Sequence, residues 1–359
     1  MRPARLAWLL LVLSFPAFPA ADTDAFGILR MHPTRAGFRE WTSAHWANGT
    51  ARLVTYSGDP FDPTGWSDNH SSSGGDSLFI DGKGSLVIKG AGPRFHLNSI
   101  GQYAGTAPPA KVPPQPFRDV EATGYARRLT TGGSAWDGIE IQVRTGPLAH
   151  GSAGGDPCDA GGYAARFRDD GNWDWEKELK HPGSGVYSTR AGFSAPLFPG
   201  KTLPVGKWIG MKFLVYNVDG GAHVRLETFL DTLSDVSNGP PADGGHWERV
   251  GTLVDDGTNF PGGDVSGCPG LEPAMPVTKG LGTLLLRTDN EACEWKFLSV
   301  REIEPATSGL LPPARDSNRL PGRPPRPLWL WEGLIDAQGR RLPGIFPADP
   351  AGRREAPRR

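Results

Sequence analysis

Glu140, Gln142 and Arg144 alternate with Ile139, Ile141 and Val143. In an extended strand successive side chains point to opposite faces, so this spacing gathers the aliphatic set on one face. The other face becomes a row that can donate, accept and carry charge. A second run, Trp173 to His181, alternates in the same way. Asp174, Glu176, Glu178 and Lys180 fall on one side of it, and Trp173, Trp175, Lys177, Leu179 and His181 on the other. Carboxylates two apart on a strand are separated by about 6–7 Å at Cα, near the spacing that paired-carboxylate bond hydrolysis uses. The tryptophans offer flat faces on which a ring can stack.

Strands must position these groups, and the sequence supplies them. Runs read as strands at Val120–Arg128, Gly138–Thr145, Gly162–Arg168, Trp173–Leu179, Trp208–Asn217, His223–Asp231, Trp247–Val254, Gly282–Thr288 and Glu294–Glu302. Ser77–Ile80 and Ser85–Gly90 flank Asp81-Gly82-Lys83-Gly84, which reads as a hairpin turn, and Arg94–Leu97 continues it. Trp208–Asn217 pairs naturally with His223–Asp231. Gly at 49 and Pro at 35 residues are high, and long helical patterns are missing, which points to an all-β sandwich or jelly roll. Gly101 to Pro116 reads as a surface loop.

Arg2 and Arg5, then an apolar Leu6–Phe15 and a small-residue Ala17–Ala21, give residues 1–21 the pattern of a secretory signal. The mature chain is expected to be secreted, extracellular or periplasmic, with no membrane span. A single domain covers 22–305, and a Pro/Arg-rich tail, expected to be disordered, covers 306–359. The net charge of −1 and the scattered basic residues give no support to a nucleic-acid partner. Three cysteines in an exported chain suggest one disulfide. Cys293 opens a strand and Cys268 lies in the loop before the preceding one, which pairs those two and leaves Cys158 free. No C-x-x-C spacing suggests zinc. Asp59-Pro60-Phe61-Asp62-Pro63 and Asp255-Asp256-Gly257 could hold a structural calcium, although turn formation explains them too. No cofactor is expected. Asn48 and Asn69 open glycosylation sequons.

The order of the Gly-Ser-Leu-Val-Ile-Lys-Gly hairpin, Phe117–Thr123, the K-W-x-G-x-K-x-x-x-Y-N strand from Lys207, and V-R-L-E-x-x-x-D from Val224 resembles the concanavalin-A-like jelly rolls. Within them the chain looks most like exported proteins grouped with polysaccharide lyases, and like a group carrying Arg39-Glu40-Trp41 and Lys177-Glu178-Leu179-Lys180-His181. The resemblance spans about Phe26 to Glu304 and implies a monomer that engages polysaccharide along a concave sheet.

Three activities fit that implication. A lyase acting on a uronate polymer would use Gln142 and Arg144 as neutralising groups, with His181 or Tyr216 as base and acid. Here Glu140–Arg144 echoes the R-x-E-x-R strand of alginate-lyase-type jelly rolls, with Gly138 at the first Arg position. A retaining glycoside hydrolase would use Asp174, Glu176 and Glu178, which resemble an E-x-D-x-E strand. A non-catalytic lectin-like module would stack sugars on Trp136, Trp173 or Trp175. The candidate ligand-holding residues are Glu140, Gln142, Arg144, Arg166, Lys177 and Lys212, and the candidate catalytic residues Glu178, His181 and Tyr216.

Overall fold

The computed structural model describes residues 22–38, 40–54, 64–68, 77–98, 117–146, 156–181, 186–187, 197–198, 200–260 and 262–305. The residues read as a signal (1–21), as a surface loop (101–116) and as a tail (306–359), with Arg39, Asp59–Pro63 and Asn69, lie outside the described residues.

Among the described residues, sixteen strands follow in chain order: β1 (Trp41–Thr42), β2 (Arg52–Leu53), β3 (Thr64–Asp68), β4 (Ser77–Ile80), β5 (Leu86–Gly90), β6 (Pro93–Asn98), β7 (Val120–Arg128), β8 (Gly138–Thr145), β9 (Gly162–Arg168), β10 (Trp173–Glu178), β11 (Val186–Tyr187), β12 (Trp208–Val218), β13 (His223–Asp231), β14 (Glu248–Asp255), β15 (Thr283–Thr288) and β16 (Glu291–Glu302). They form two sheets. A nine-stranded sheet runs β14-β13-β12-β7-β16-β5-β4-β2, with β1 also beside β16; a seven-stranded sheet runs β11-β10-β9-β8-β15-β6-β3. Neighbours distant in sequence, such as β7 beside β16 and β8 beside β15, pair antiparallel, so the chain crosses repeatedly between sheets. This is the all-β jelly roll the turn spacing predicts.

The alternation in each strand decides which side chains lie between the sheets. Ile139, Ile141, Val143, Ala165, Phe167, Trp173 and Trp175 face Ala122, Met211, Phe213, Val215 and Leu226 in one core. Burying each large aliphatic side chain contributes roughly 1.5–3 kcal/mol. Trp175 also satisfies its indole there, donating from Nε1 to Thr228 Oγ1 of the opposite sheet at 2.8 Å. Both tryptophans of β10 are therefore core residues, packed edge to face at 4.7 Å.

Two expectations are corrected. Arg94–Leu97 is a strand but does not extend the β4–β5 hairpin: β6 pairs with β15 and β3 in the other sheet. The disulfide joins Cys158 to Cys268, with Cα atoms 5.3 Å apart, and Cys293 is the free thiol. Strand alternation explains this. Cys293 points inward from β16 into the core with Trp295, out of reach of the loop that carries Cys268.

Candidate functional site

The register of the seven-stranded sheet aligns residues that are scattered in sequence. Arg94 of β6 is the cross-strand partner of Arg287, Arg287 of Glu140, Glu140 of Arg166, and Arg166 of Asp174. One line of charge thus crosses five strands on the outer face. Two residues along, about 7 Å away, a second line runs His96, Leu285, Gln142, Ala164 and Glu176. Beyond it Glu178 stands opposite Gly162. A Cβ on Gly162 would sit 2.7 Å from the Val143 carbonyl, so the strand packing requires glycine there. Ala164 and Gly162 stand between Gln142 on one side and Glu176 and Glu178 on the other, and are small enough for Gln142 to reach Glu178 across them.

The charges on this face are unequally satisfied. Asp174 is fully buried and accepts from Arg166 at 2.9 Å and Arg168 at 3.3 Å. Glu140 lies 3.9 Å from both Arg166 and Arg287, beyond hydrogen-bond length. Burial, only partly opposed by those two arginines, raises its pKa. Glu176 is partly exposed, and burial together with Glu140 and Glu178 pushes its carboxyl up to about 8. It is therefore a protonated acid near neutrality. Glu178 accepts from Gln142 Nε2 at 3.2 Å and is in short hydrogen-bonding contact with His181 Nδ1. The His181 backbone N–H donates to the Pro157 carbonyl at 3.0 Å, next to the disulfide. Lys180 reaches the Ser266 carbonyl across the same join.

Trp136 closes the other end of the face. It stands just before β8, is half exposed, and stacks over the Arg168 guanidinium at 3.7 Å, with Arg166 at 5.8 Å. One face of its ring is backed by cations, and the residue still presents apolar surface to solvent.

The structure thus keeps Glu140, Gln142, Arg166, Glu178 and His181 together and separates the other four candidates from them. Arg144 leaves the row because β8 carries a bulge: two steps on β15, from Thr283 to Leu285, span three on β8, from Thr145 to Gln142. The extra residue breaks the alternation. Arg144 adopts a left-handed φ of 70°, and its buried guanidinium bonds Asn217 Oδ1 at 2.8 Å and the Val277 carbonyl, with Asp119 at 3.4 Å. Lys177 points inward with the tryptophans and pairs with Asp255 at 3.0 Å. That carboxylate also accepts from Tyr163 at 2.6 Å, and Asp256 caps its own turn through Thr258, so these oxygens are occupied by protein donors.

Lys212 and Tyr216 lie on the outer face of the nine-stranded sheet, across the sandwich from Glu178. Lys212 donates to Thr123 Oγ1 at 2.7 Å and to the Leu29 carbonyl at 3.0 Å, and pairs with Glu121 at 3.2 Å. Tyr216 donates to Glu227 at 2.7 Å, and burial and that carboxylate push its pKa well up. Tyr216 therefore cannot share a substrate with His181.

No protein-family model matches the chain, and no curated protein matches it either. Solved structures similar to it include the VIP36 exoplasmic/lumenal domain in its Ca2+-bound form, at 12% identity over 75% of this chain and 92% of that one, TM-score 0.35. Lectin I-B4 from Griffonia simplicifolia is similar at 10% identity over 73% and 97%, TM-score 0.31. A proposed glycosyl hydrolase from Parabacteroides distasonis is similar at 12% identity over 73% and 97%, TM-score 0.33.

Sequence reasoning missed Arg94, His96 and Arg287 as members of this face, and named Glu176 only within the acidic alternation. Glu176 had a signal, standing between Asp174 and Glu178 in the acidic alternation. Arg94 and Arg287 had a weaker one: each alternates with leucine or phenylalanine in a recognisable strand. What brings them beside Glu140 is cross-sheet register, which no local pattern encodes.

Proposed function

We propose that the outer face of the seven-stranded sheet binds a glycan chain, in an exported protein. The observation that carries this reading is Trp136. A half-exposed indole backed by Arg168 is a rigid platform for the apolar face of a sugar ring, and it stands at the head of a polar row that can bond the hydroxyls. The Cys158–Cys268 disulfide agrees with an oxidising compartment and hence with export.

Cleavage of the bound glycan is a second reading, favoured by one pair. Glu176, protonated near neutrality, would give a proton to the glycosidic oxygen, while Glu178, held by Gln142 and His181, would act as nucleophile or base. An eliminative version keeps the Glu178–His181 pair as base and Gln142 and Arg166 as neutralising groups, without Tyr216 and Arg144.

The test is a polysaccharide panel offered to the purified mature chain. It is read by retention in affinity gels, by absorbance at 235 nm and by reducing ends. Retention alone supports a binding module. Reducing ends lost in Glu176→Gln support hydrolysis, and absorbance lost in His181→Ala supports elimination. Silence in all three sinks the glycan reading.

A further inference from the structure

Among the described residues, four arginines are almost wholly buried: Arg94, Arg128, Arg144 and Arg301. Three have carboxylate partners. Arg128 pairs with Glu291 and Asp169, Arg144 with Asp119, and Arg301 with Glu121. Arg94 has none among the described residues. Its one hydrogen bond there runs from Nη1 to the Gly92 carbonyl at 2.9 Å, and its buried Nε is unpaired. It also stands directly across from a second cation, Arg287. Side chains so placed have Cβ atoms about 5 Å apart, and like charges there repel. Burial and Arg287 accordingly lower the Arg94 pKa, to about 10. Arg287 is committed on one side to Asp289 at 2.9 Å, and its side chain is 22% exposed, so the Arg287 end of the pair meets solvent while Arg94 is buried.

A buried, unpaired guanidinium beside another is unfavourable in the free protein and becomes favourable when an anion arrives. We infer that Arg94 and Arg287 form an anion subsite of this face, so that the glycan it takes bears an acidic substituent, a carboxylate or a sulfate group. This rests on the glycan reading above and deepens it. Glu140, next in the line, and Asp289, bonded to Arg287, limit how far the positive patch extends.

The experiment uses full-length mature protein and polymer pairs that differ only in the anion: polygalacturonate against its methyl ester, and dextran sulfate against dextran. We expect at least tenfold tighter retention by one charged member than by its neutral partner, and which member it is distinguishes carboxylate from sulfate. Arg94→Met should abolish that preference, and Arg94→Lys should keep part of it. Arg52→Ala, which removes an exposed cation on the other sheet, should leave it intact. Because Arg94→Met removes an unpaired buried charge, its Tm should equal or exceed that of the wild type. A fall in Tm would make Arg94 a structural cation and overturn the inference. Equal retention of charged and neutral partners would overturn it too, while leaving glycan binding in place. If no polymer is retained, yet free galacturonate or sulfate raises the Tm of the wild type and not of Arg94→Met, the subsite stands and the glycan reading fails.

Discussion

On the outer face of the nine-stranded sheet, Glu121 accepts from Arg301 at 2.6 Å, pairs with Lys212 at 3.2 Å and receives the backbone N–H groups of Met31 and His32. On the outer face of the seven-stranded sheet, Arg94 has no carboxylate among the described residues, Glu140 has no hydrogen bond from its arginines, and Glu176 stands partly open. Both faces arise from the same pattern, charged residues alternating with a core-facing aliphatic row. Both are largely buried, and the difference lies in how their charges are matched. Residues 22–38 lie over the first face: Arg301 donates to the His32 carbonyl, Lys212 to that of Leu29, and Ile28 is fully buried. There Glu121 and its two cations are matched and shielded from water, which is the arrangement of a structural network. Unmatched charge beside an exposed tryptophan is the arrangement of a site.

Glu121→Ala leaves Arg301 and Lys212 buried without their counter-ion and releases two backbone donors of the covering segment. A loss on the order of 3–5 kcal/mol is expected in denaturant unfolding. The matching change on the other face, Glu176→Gln, should cost nothing at neutral pH and should stabilise, because the raised carboxyl is already a burden there. Equal losses would mean that the seven-stranded face is a structural network as well.

Reduction of Cys158–Cys268 comes next. The bond closes a separation of 110 residues and joins the turn that holds the His181 backbone to the loop that holds Lys180. About 2–4 kcal/mol should be lost, read as a lower Tm in reductant. Glycan retention should weaken in the same samples while still folded, because the His181 end of the site loosens. The interactions of Glu121 should be untouched.

How much of this was legible in the sequence follows from the range of each signal. Strand alternation acts over a few residues, and it placed Val120–Arg128, Gly138–Thr145, Gly162–Arg168 and His223–Asp231 with the observed bounds. Register and face are set by partners a hundred residues away. Hence Lys212 and Tyr216, on a strand read correctly, belong to the wrong face for the chemistry expected of them. Arg144 was lost to a single bulge, which shifts one residue and leaves the hydrophobic alternation before it unchanged. The disulfide failed for the same reason, since Cys293 is as close to Cys268 in sequence as it is remote in direction.

Titration sharpens the contrast between the faces. Burial raises the pKa of Glu121, but Arg301 and Lys212 outweigh it, so the group is lowered overall. Its contribution is present above the unfolded carboxyl range and is lost as pH falls through the folded value. Glu176 has the opposite sign: burial, Glu140 and Glu178 raise it to about 8. Between the unfolded range and about 8 the folded state binds more protons, so stability declines as pH rises across that window. Glu176→Gln should remove this decline, matching the wild type near pH 4 and exceeding it by upward of ~1 kcal/mol above pH 8. Unfolding measured across pH 4–9 reads it. Parallel curves for the two proteins would place Glu176 in water, with no raised pKa and no acid role.

The smallest effect on stability should come from Trp136→Ala, and it is the most specific test of the difference between the faces. Half of the residue is exposed and it stacks on Arg168, so removal should cost under ~0.5 kcal/mol, as for surface changes generally. Arg168 keeps Asp174 and Asp170 as partners and stays in place. Glycan retention, by contrast, should fall about tenfold, the ~1.4 kcal/mol expected from losing one ring-stacking platform. Trp136→Phe should recover part of it, because a smaller ring still offers a flat apolar face. A structural tryptophan gives the reverse pattern, a lower Tm with retention unchanged. Trp175, whose indole is bonded across the core to Thr228, provides that control within the same sheet.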